Sequence, residues 1–246
     1  MSRYDEFSDD FYINMNLNTE MELTQSRETV LHFFEQIQKK YPAMSNFYTR
    51  EREFILEEDK GKGSYRWTSL DARRLCSGYV HPDSMDSAME QHALILEMAP
   101  FALSVSQLDC ESLNIMYGFD FTYRGNHNQL LADALGIISP FESMREIEGV
   151  TLLSNEPSIQ LALDSDCRTQ CRLSFETRTN AYHVRTGDYP DDQLSVYFTV
   201  RRYGSLDHDE TYVEVMRDLA ERCRRMVDDH LIEQVLRPLQ ENIAIK

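Results

Sequence analysis

Residues 11–18 alternate cleanly: Phe11, Ile13, Met15 and Leu17 fall on one side, Tyr12 and three asparagines on the other. A period of two is that of a half-buried strand. Over about residues 26–41 the period lengthens. Val30, Phe33, Phe34, Ile37 and Tyr41 recur at helical spacing, and Pro42 ends the run. Residues 47–56 and 64–80 are β-rich, and the DKGKG between them supplies glycines for a hairpin turn. A second helix is expected from Asp83 or Ser84 to Pro100, with Met85, Ala88, Met89, His92, Leu96 and Ala99 on one side. In the long strand that follows, Leu113, Ile115, Tyr117, Phe119, Phe121 and Tyr123 share a face. The order βαββαβ predicts a ferredoxin-like sandwich of helices on an antiparallel sheet.

The second half has a different texture. Residues 126–135 form a short helix, and SPFESMREIEG a second one, capped by Ser139 with Pro140 as first residue, Glu142 as capping-box partner and Gly149 as stop. Between residues 150 and 203 the segments VTLL, SIQLALD, CRLSFETRT and LSVYFTVRRYG read as strands. One long helix closes the chain over about residues 209–237, with Asp207 and Glu210 as its capping box and Pro238 as its end. The expected class is α+β: an acidic tail at 1–10, a ferredoxin-like lobe at 11–106, and a β-rich lobe at 107–246 braced by the long helix. The two lobes either fold separately or share one continuous sheet.

Composition narrows the function more than the fold. Hydrophobic residues are 41% of the 246 and aromatics 11%, enough to bury a core. The longest apolar stretch, 93–103, is broken by Glu97 and Pro100 and is too short and polar to cross a bilayer. MSRYDEFSDD resembles neither a secretory signal nor a presequence, so the expected location is the cytoplasm. Five cysteines (76, 110, 167, 171 and 223) without close pairs argue against a disulfide framework. A net charge of −17 repels phosphate backbones, and the densest basic cluster (Arg222, Arg224, Arg225) alternates with carboxylates. Direct nucleic-acid binding is disfavoured, whereas a basic protein surface is a natural partner.

Several segments carry a resemblance. SYRWTSLDA resembles the W-x-S-x-D strand of a sporadically distributed family of uncharacterised bacterial proteins. LNIMYGFDFTYRG with LLADAL resembles that family's central strand and following helix, and LSVYFTVRRYG with the closing helix resembles its C-terminal pair. The family's central strand usually carries an Arg and an Asn where this chain reads Met-Tyr-Gly-Phe. The resemblance implies a bacterial protein of mobile or conflict-related gene clusters, and it brings no activity with it.

Candidate chemistry is sparse. Cys167 and Cys171, near His183 and Asp166, have a spacing zinc tolerates, but no second ligand arm follows. On a strand they would stand about 13 Å apart. Asp164 and Asp166 begin like a calcium loop, yet Thr169 and Phe175 stand where Gly and Glu are required. In GDYPDDQ, Asp188, Asp191 and Asp192 read as a solvated turn. The strongest candidate is YRGNHNQ, where Arg124, Asn126, His127 and Asn128 crowd the junction of a strand with a helix N-terminus, a place suited to anions. The plainer reading makes Gly125 the turn and an Asn the helix cap. His92 and His230 fall on apolar helical seams and His81 at a strand end, all more consistent with packing than catalysis. No nucleophile elbow, phosphate loop or HExxH occurs.

The sequence therefore points to a non-enzymatic interaction subunit without metal or cofactor, binding another protein through an acidic surface or a sheet edge. A homo-oligomer is compatible with that reading. Two alternatives stand beside it: a small-molecule-binding protein or enzyme using the Arg124–His127 loop, and an acidic decoy for a nucleic-acid-binding protein.

Overall fold

The alternating run forms β1 (Asp10–Thr19), with Phe11, Ile13, Met15 and Leu17 fully buried. The computed structural model describes residues 4–245. After β1 come α1 (Arg27–Lys40), β2 (Asn46–Arg50), β3 (Glu53–Glu57), β4 (Tyr65–Leu70), β5 (Arg74–Val80) and α2 (Met85–Ala102). The second half consists of β6 (Cys110–Tyr123), α3 (His127–Leu135), α4 (Ser139–Arg145), β7 (Ser158–Ala162), β8 (Thr169–Glu176), α5 (Ala181–Thr186) and β9 (Asp192–Tyr203). A continuous helix closes it: α6 (Tyr212–Met226), a π-helical stretch (Val227–Leu236) and α7 (Arg237–Ile245).

The class is α+β, and the first half has more strands than the expected βαββαβ order counts. Each β-rich stretch of the first half doubles back on itself. Glu51 and Arg52, with φ of 49° and 79°, turn β2 into β3. Asp71 turns β4 into β5, its carboxylate accepting the Arg73 N–H at 2.9 Å. Four strands thus stand where two were expected. All strands pair antiparallel in one nine-stranded sheet, ordered β2-β3-β4-β5-β1-β6-β9-β8-β7. The two lobes share it across the β1–β6 seam.

The connectivity is repeated. In the first half a strand (β1) is followed by a helix, then a meander whose last strand (β5) returns beside β1, then a helix. In the second half β6, two short helices, the β7–β8–β9 meander and α6 follow the same plan with one strand fewer. The two leading strands, β1 and β6, pair antiparallel at the centre of the sheet.

One face of the sheet is covered. The registered pairs Phe11–Phe119, Ile13–Tyr117, Met15–Ile115 and Leu17–Leu113 point under the helices. They join one core with Phe33 and Ile37 of α1, Ile95 and Ala99 of α2, and Met216, Leu219 and Cys223 of α6. Burial of each large side chain there stabilises the fold by roughly 1.5–3 kcal/mol.

Several boundaries differ from expectation. Tyr4 and Phe7 are buried in this core, and Tyr4 packs edge-on against Tyr117 and donates to Asp228 at 2.8 Å. From Tyr4 onward the first ten residues are therefore not a tail; residues 1–3 lie outside the described residues. Helix α2 runs through Pro100 to Ala102. Ser139 is the first residue of α4 and not its cap, and the Ser139–Glu142 box is absent. Residues 150–153 form no strand. Thr211 and Glu214, not Asp207 and Glu210, make the capping box of α6. Glu210 instead accepts both Arg202 amino groups at 2.6 Å, a bidentate pair that rigidly fixes the helix entry. The closing helix also passes Pro238, just beyond the π-helical stretch. Among the described residues, no helix is long and apolar enough to cross a membrane.

Candidate functional site

Among the described residues, no strand or helix covers the other face of the sheet, and the pleat sends half of each strand's side chains onto it. Outward residues of β1 are Tyr12, Asn14, Asn16 and Asn18, all half-buried. They hold one another and their neighbours: Asn16 donates to Asn114 and Asn18 to Ser112, each at 2.9 Å. Two glycines shape this face. Gly78 lies opposite Trp67 on one side and Asn14 on the other, and an ideal Cβ there would stand 2.2 Å from the Trp67 indole. Gly118 lies opposite Tyr12, whose ring would be 2.1 Å from an added Cβ. Each aromatic ring therefore lies down over a glycine instead of standing up from the sheet.

The result is a cavity of about 480 Å³ over the first half of the sheet. Tyr12, Tyr48, Tyr65 and Trp67 supply ring faces, and Asp10, Glu53, Glu57 and Asp120 supply carboxylates. Asp10 receives Gln193 Nε2 at 2.8 Å and lies 2.7 Å from His81 Nε2. The other nitrogen of His81 is 3.5 Å from Asp5, and its backbone is held at φ 45°, a left-handed conformation that a histidine adopts at a cost. Burial pushes the Asp120 carboxyl above the ordinary aspartate range, and the facing Asp10 adds to the shift. Tyr12 donates to Asp120 at 3.3 Å, and burial, then the Asp120 charge, keeps its phenol protonated far above the usual range. The Oδ1 of Asn14, which lines the cavity, is buried without a hydrogen-bond partner.

Two cations of the chain, Arg50 and Lys60, also line the cavity, and Lys60 already uses this chemistry. Lys60, on the hook between β3 and β4, sits 3.0 Å from Glu57 Oε2 and 5.7 Å from the Tyr65 ring centroid. The Glu57 bond raises its pKa. Ring faces and carboxylates together attract ammonium and guanidinium groups, each cation–π contact contributing about 0.5–2 kcal/mol. The cavity thus has the makings of a cation receptor.

The YRGNHNQ loop is occupied within the chain. Asn126 caps α3, its side chain accepting from the N–H groups of Asn128 and Gln129. His127 is buried, with Nε2 3.0 Å from the Tyr123 carbonyl and Nδ1 accepting from the Arg178 N–H at 3.3 Å. Asn128, fully buried, donates to Leu153 O and accepts from the Asn155 N–H. Arg124, at the surface, donates to Tyr189 O at 3.2 Å. The first three fasten the irregular segments around 153–155 and 177–180 to α3, and Arg124 holds the loop at Tyr189.

Other candidates also resolve into local roles. Cys167 is exposed in the β7–β8 turn at φ 57°, whereas Cys171 is buried on β8, so they do not share a strand face. Asp164 closes that turn, accepting from the N–H groups of Arg168 and Thr169. His230 is exposed, not part of a seam. His92 is buried beneath the sheet with Nδ1 2.8 Å from Ser77 Oγ, and burial holds its pKa down at about 3. Among the described residues, no group of three His, Cys, Asp or Glu could hold a metal ion.

The open face was not legible from local motifs. The signal was present in the polar side of the 11–18 alternation, in Trp67, and in the glycines at 78 and 118 inside strands, which mark close approach. No single segment carries it, because the cavity is assembled from seven strands.

No protein-family model matches this chain, and no curated protein matches it. Two solved structures of alkyldihydroxyacetonephosphate synthase, one in P1 and one in P212121, are similar to it at 10% and 11% identity. The alignments cover 95% of this chain but only 42% and 43% of theirs, at a TM-score of 0.16. The chain spans less than half the length of those proteins, and so slight a likeness assigns neither fold nor activity.

Proposed function

We propose that the protein is a non-enzymatic interaction protein whose open sheet face takes a basic side chain of a protein partner. The guanidinium or ammonium group enters the cavity over β2–β4 and β1. The observation that carries this reading is the set of four ring faces and four carboxylates on one concave surface. Lys60, bound between Glu57 and Tyr65, supports it as an internal example of the contact. The net charge of −17 supports it as well, because it would steer a basic partner toward the molecule.

A calorimetric titration tests the proposal, with an arginine-containing peptide set against an acidic peptide of equal length. The basic peptide should bind and the acidic one should not. Tyr65→Ala or Glu53→Gln should weaken binding roughly tenfold or more, about 1.4 kcal/mol. Association should slow as salt rises, because screening shortens the field to about 8 Å at physiological ionic strength. Equal binding of both peptides, or basic binding unaffected by either substitution, would rule the reading out.

A further inference from the structure

The far end of the same face has the opposite chemistry. Over β8 and β9 a smaller cavity of about 180 Å³ is lined by Arg172, Arg201, Tyr197, Tyr203, Thr199 and Ser174, with no carboxylate among its walls. Arg172 pairs with Thr199 and Arg201 with Gln170 across the two strands, so the two arginines occupy diagonal positions on one face, where long side chains reach each other. Like charges so placed repel unless something lies between them. Among the described residues neither arginine has a carboxylate within ion-pair distance, although the chain carries 42 acidic residues against 25 basic ones. Neighbouring arginines are treated differently. Arg202, one residue on, is held by Glu210, and Arg178 by Glu176.

The side chains are fixed by neutral groups. Arg201 Nη1 donates to the Tyr203 hydroxyl at 3.1 Å, and its guanidinium lies 5.5 Å from that ring. Arg172 Nε donates to Ser158 Oγ at 3.0 Å. The Nε of Arg201 is buried and has no partner. A buried guanidinium N–H without an acceptor costs free energy that a charged acceptor would recover.

We propose that this pocket is an oxyanion site, in which Arg172 and Arg201 receive one carboxylate or phosphate group and the Tyr203 and Ser174 hydroxyls border it. It does not depend on the aromatic cavity. Both cavities reach β6 and β9, but they have no lining residue in common, so the two sites are distinct places on one surface.

The test follows the Arg Nε–H resonances of the full chain by ¹H–¹⁵N NMR, with inorganic phosphate in one arm and an aspartate-containing peptide in the other. The Arg201 and Arg172 signals should shift saturably with at least one probe, and the arm that gives the tighter curve identifies the source of the anion. Arg201→Gln and Arg172→Gln should each weaken that binding roughly tenfold, while Glu53→Gln leaves it unchanged. Unsaturable drift with both probes, or an equal response in the Arg201→Gln/Arg172→Gln double variant, would overturn the proposal. Thermal melts of the variants establish that they remain folded.

Discussion

The two halves of the sheet repeat one connectivity, yet their open faces carry opposite chemistry. Around β2–β4 and β1 the outward positions hold tyrosines, the tryptophan, Arg50 and three carboxylates, and Asp120 of β6 adds a fourth. Around β8 and β9 they hold two arginines, glutamines and hydroxyls. Under the helices the same strands are mainly apolar, although Thr68 and Ser77 are buried there as well. Packing constrains the covered face in both halves alike, and the uncovered face is where the halves are free to differ. Their buried histidines differ in the same way. His127 of the second half has both ring nitrogens engaged. His92 of the first half has one bond to Ser77 and a buried, unpartnered Nε2.

The largest expected effect tests whether the halves stand alone. The closing helix buries Met216, Leu219, Cys223, Val227, Leu236 and Leu239 over the second half. At roughly 1.5–3 kcal/mol for each large side chain, its loss is comparable to the whole stability of a typical domain. Deleting residues 209–246 should leave a chain without a cooperative melt by circular dichroism. A soluble, cooperatively melting truncation would show that the halves are less interdependent than the shared core implies.

The histidines give a smaller, pH-dependent difference. Folding holds His92 down to about 3 against an ordinary 6.5, so between those values the unfolded chain binds more protons. Stability therefore falls as the pH drops through that window and is unaffected by this group above it. From pH 7 to 4.5 the loss should be about 2–3 kcal/mol in denaturant titrations. His92→Gln should flatten that slope. A slope unchanged in the variant would place the pH dependence elsewhere.

Substitution of the glycines probes the open face itself. Gly78→Ala places a methyl where the Trp67 indole lies and should cost about 1–2 kcal/mol, with a shift in tryptophan emission as the ring lifts. Gly118→Ala should act on Tyr12 in the same way and leave the emission almost unchanged.

The covered face was legible in the sequence because periodicity reports burial: Phe11 to Leu17, Phe33 to Ile37 and Leu113 to Phe121 all fall where their spacing places them. Strand number was not legible in the first half. Two of its turns use Glu51–Arg52 and Asp71–Arg73, without the glycines that usually announce a hairpin. Helix ends at Pro100 and Pro238 were misplaced because tertiary packing carries both helices past a missing N–H. The candidate site was hidden for a different reason. Polar clusters close in sequence, such as Arg124–Asn128, serve local loops, whereas the cavity joins residues from Asp10 to Gln193.

The most direct measurement of the central claim is the emission of Trp67, the chain's only tryptophan, which lines the proposed cation cavity. Titration with an arginine-rich peptide should change its emission saturably, and Tyr65→Ala or Glu57→Gln should shift that curve to higher concentration. An acidic peptide should leave the emission unaltered. A basic peptide that binds while the Trp67 emission stays constant would contradict the account, because the partner's charge would then be held somewhere other than the aromatic face.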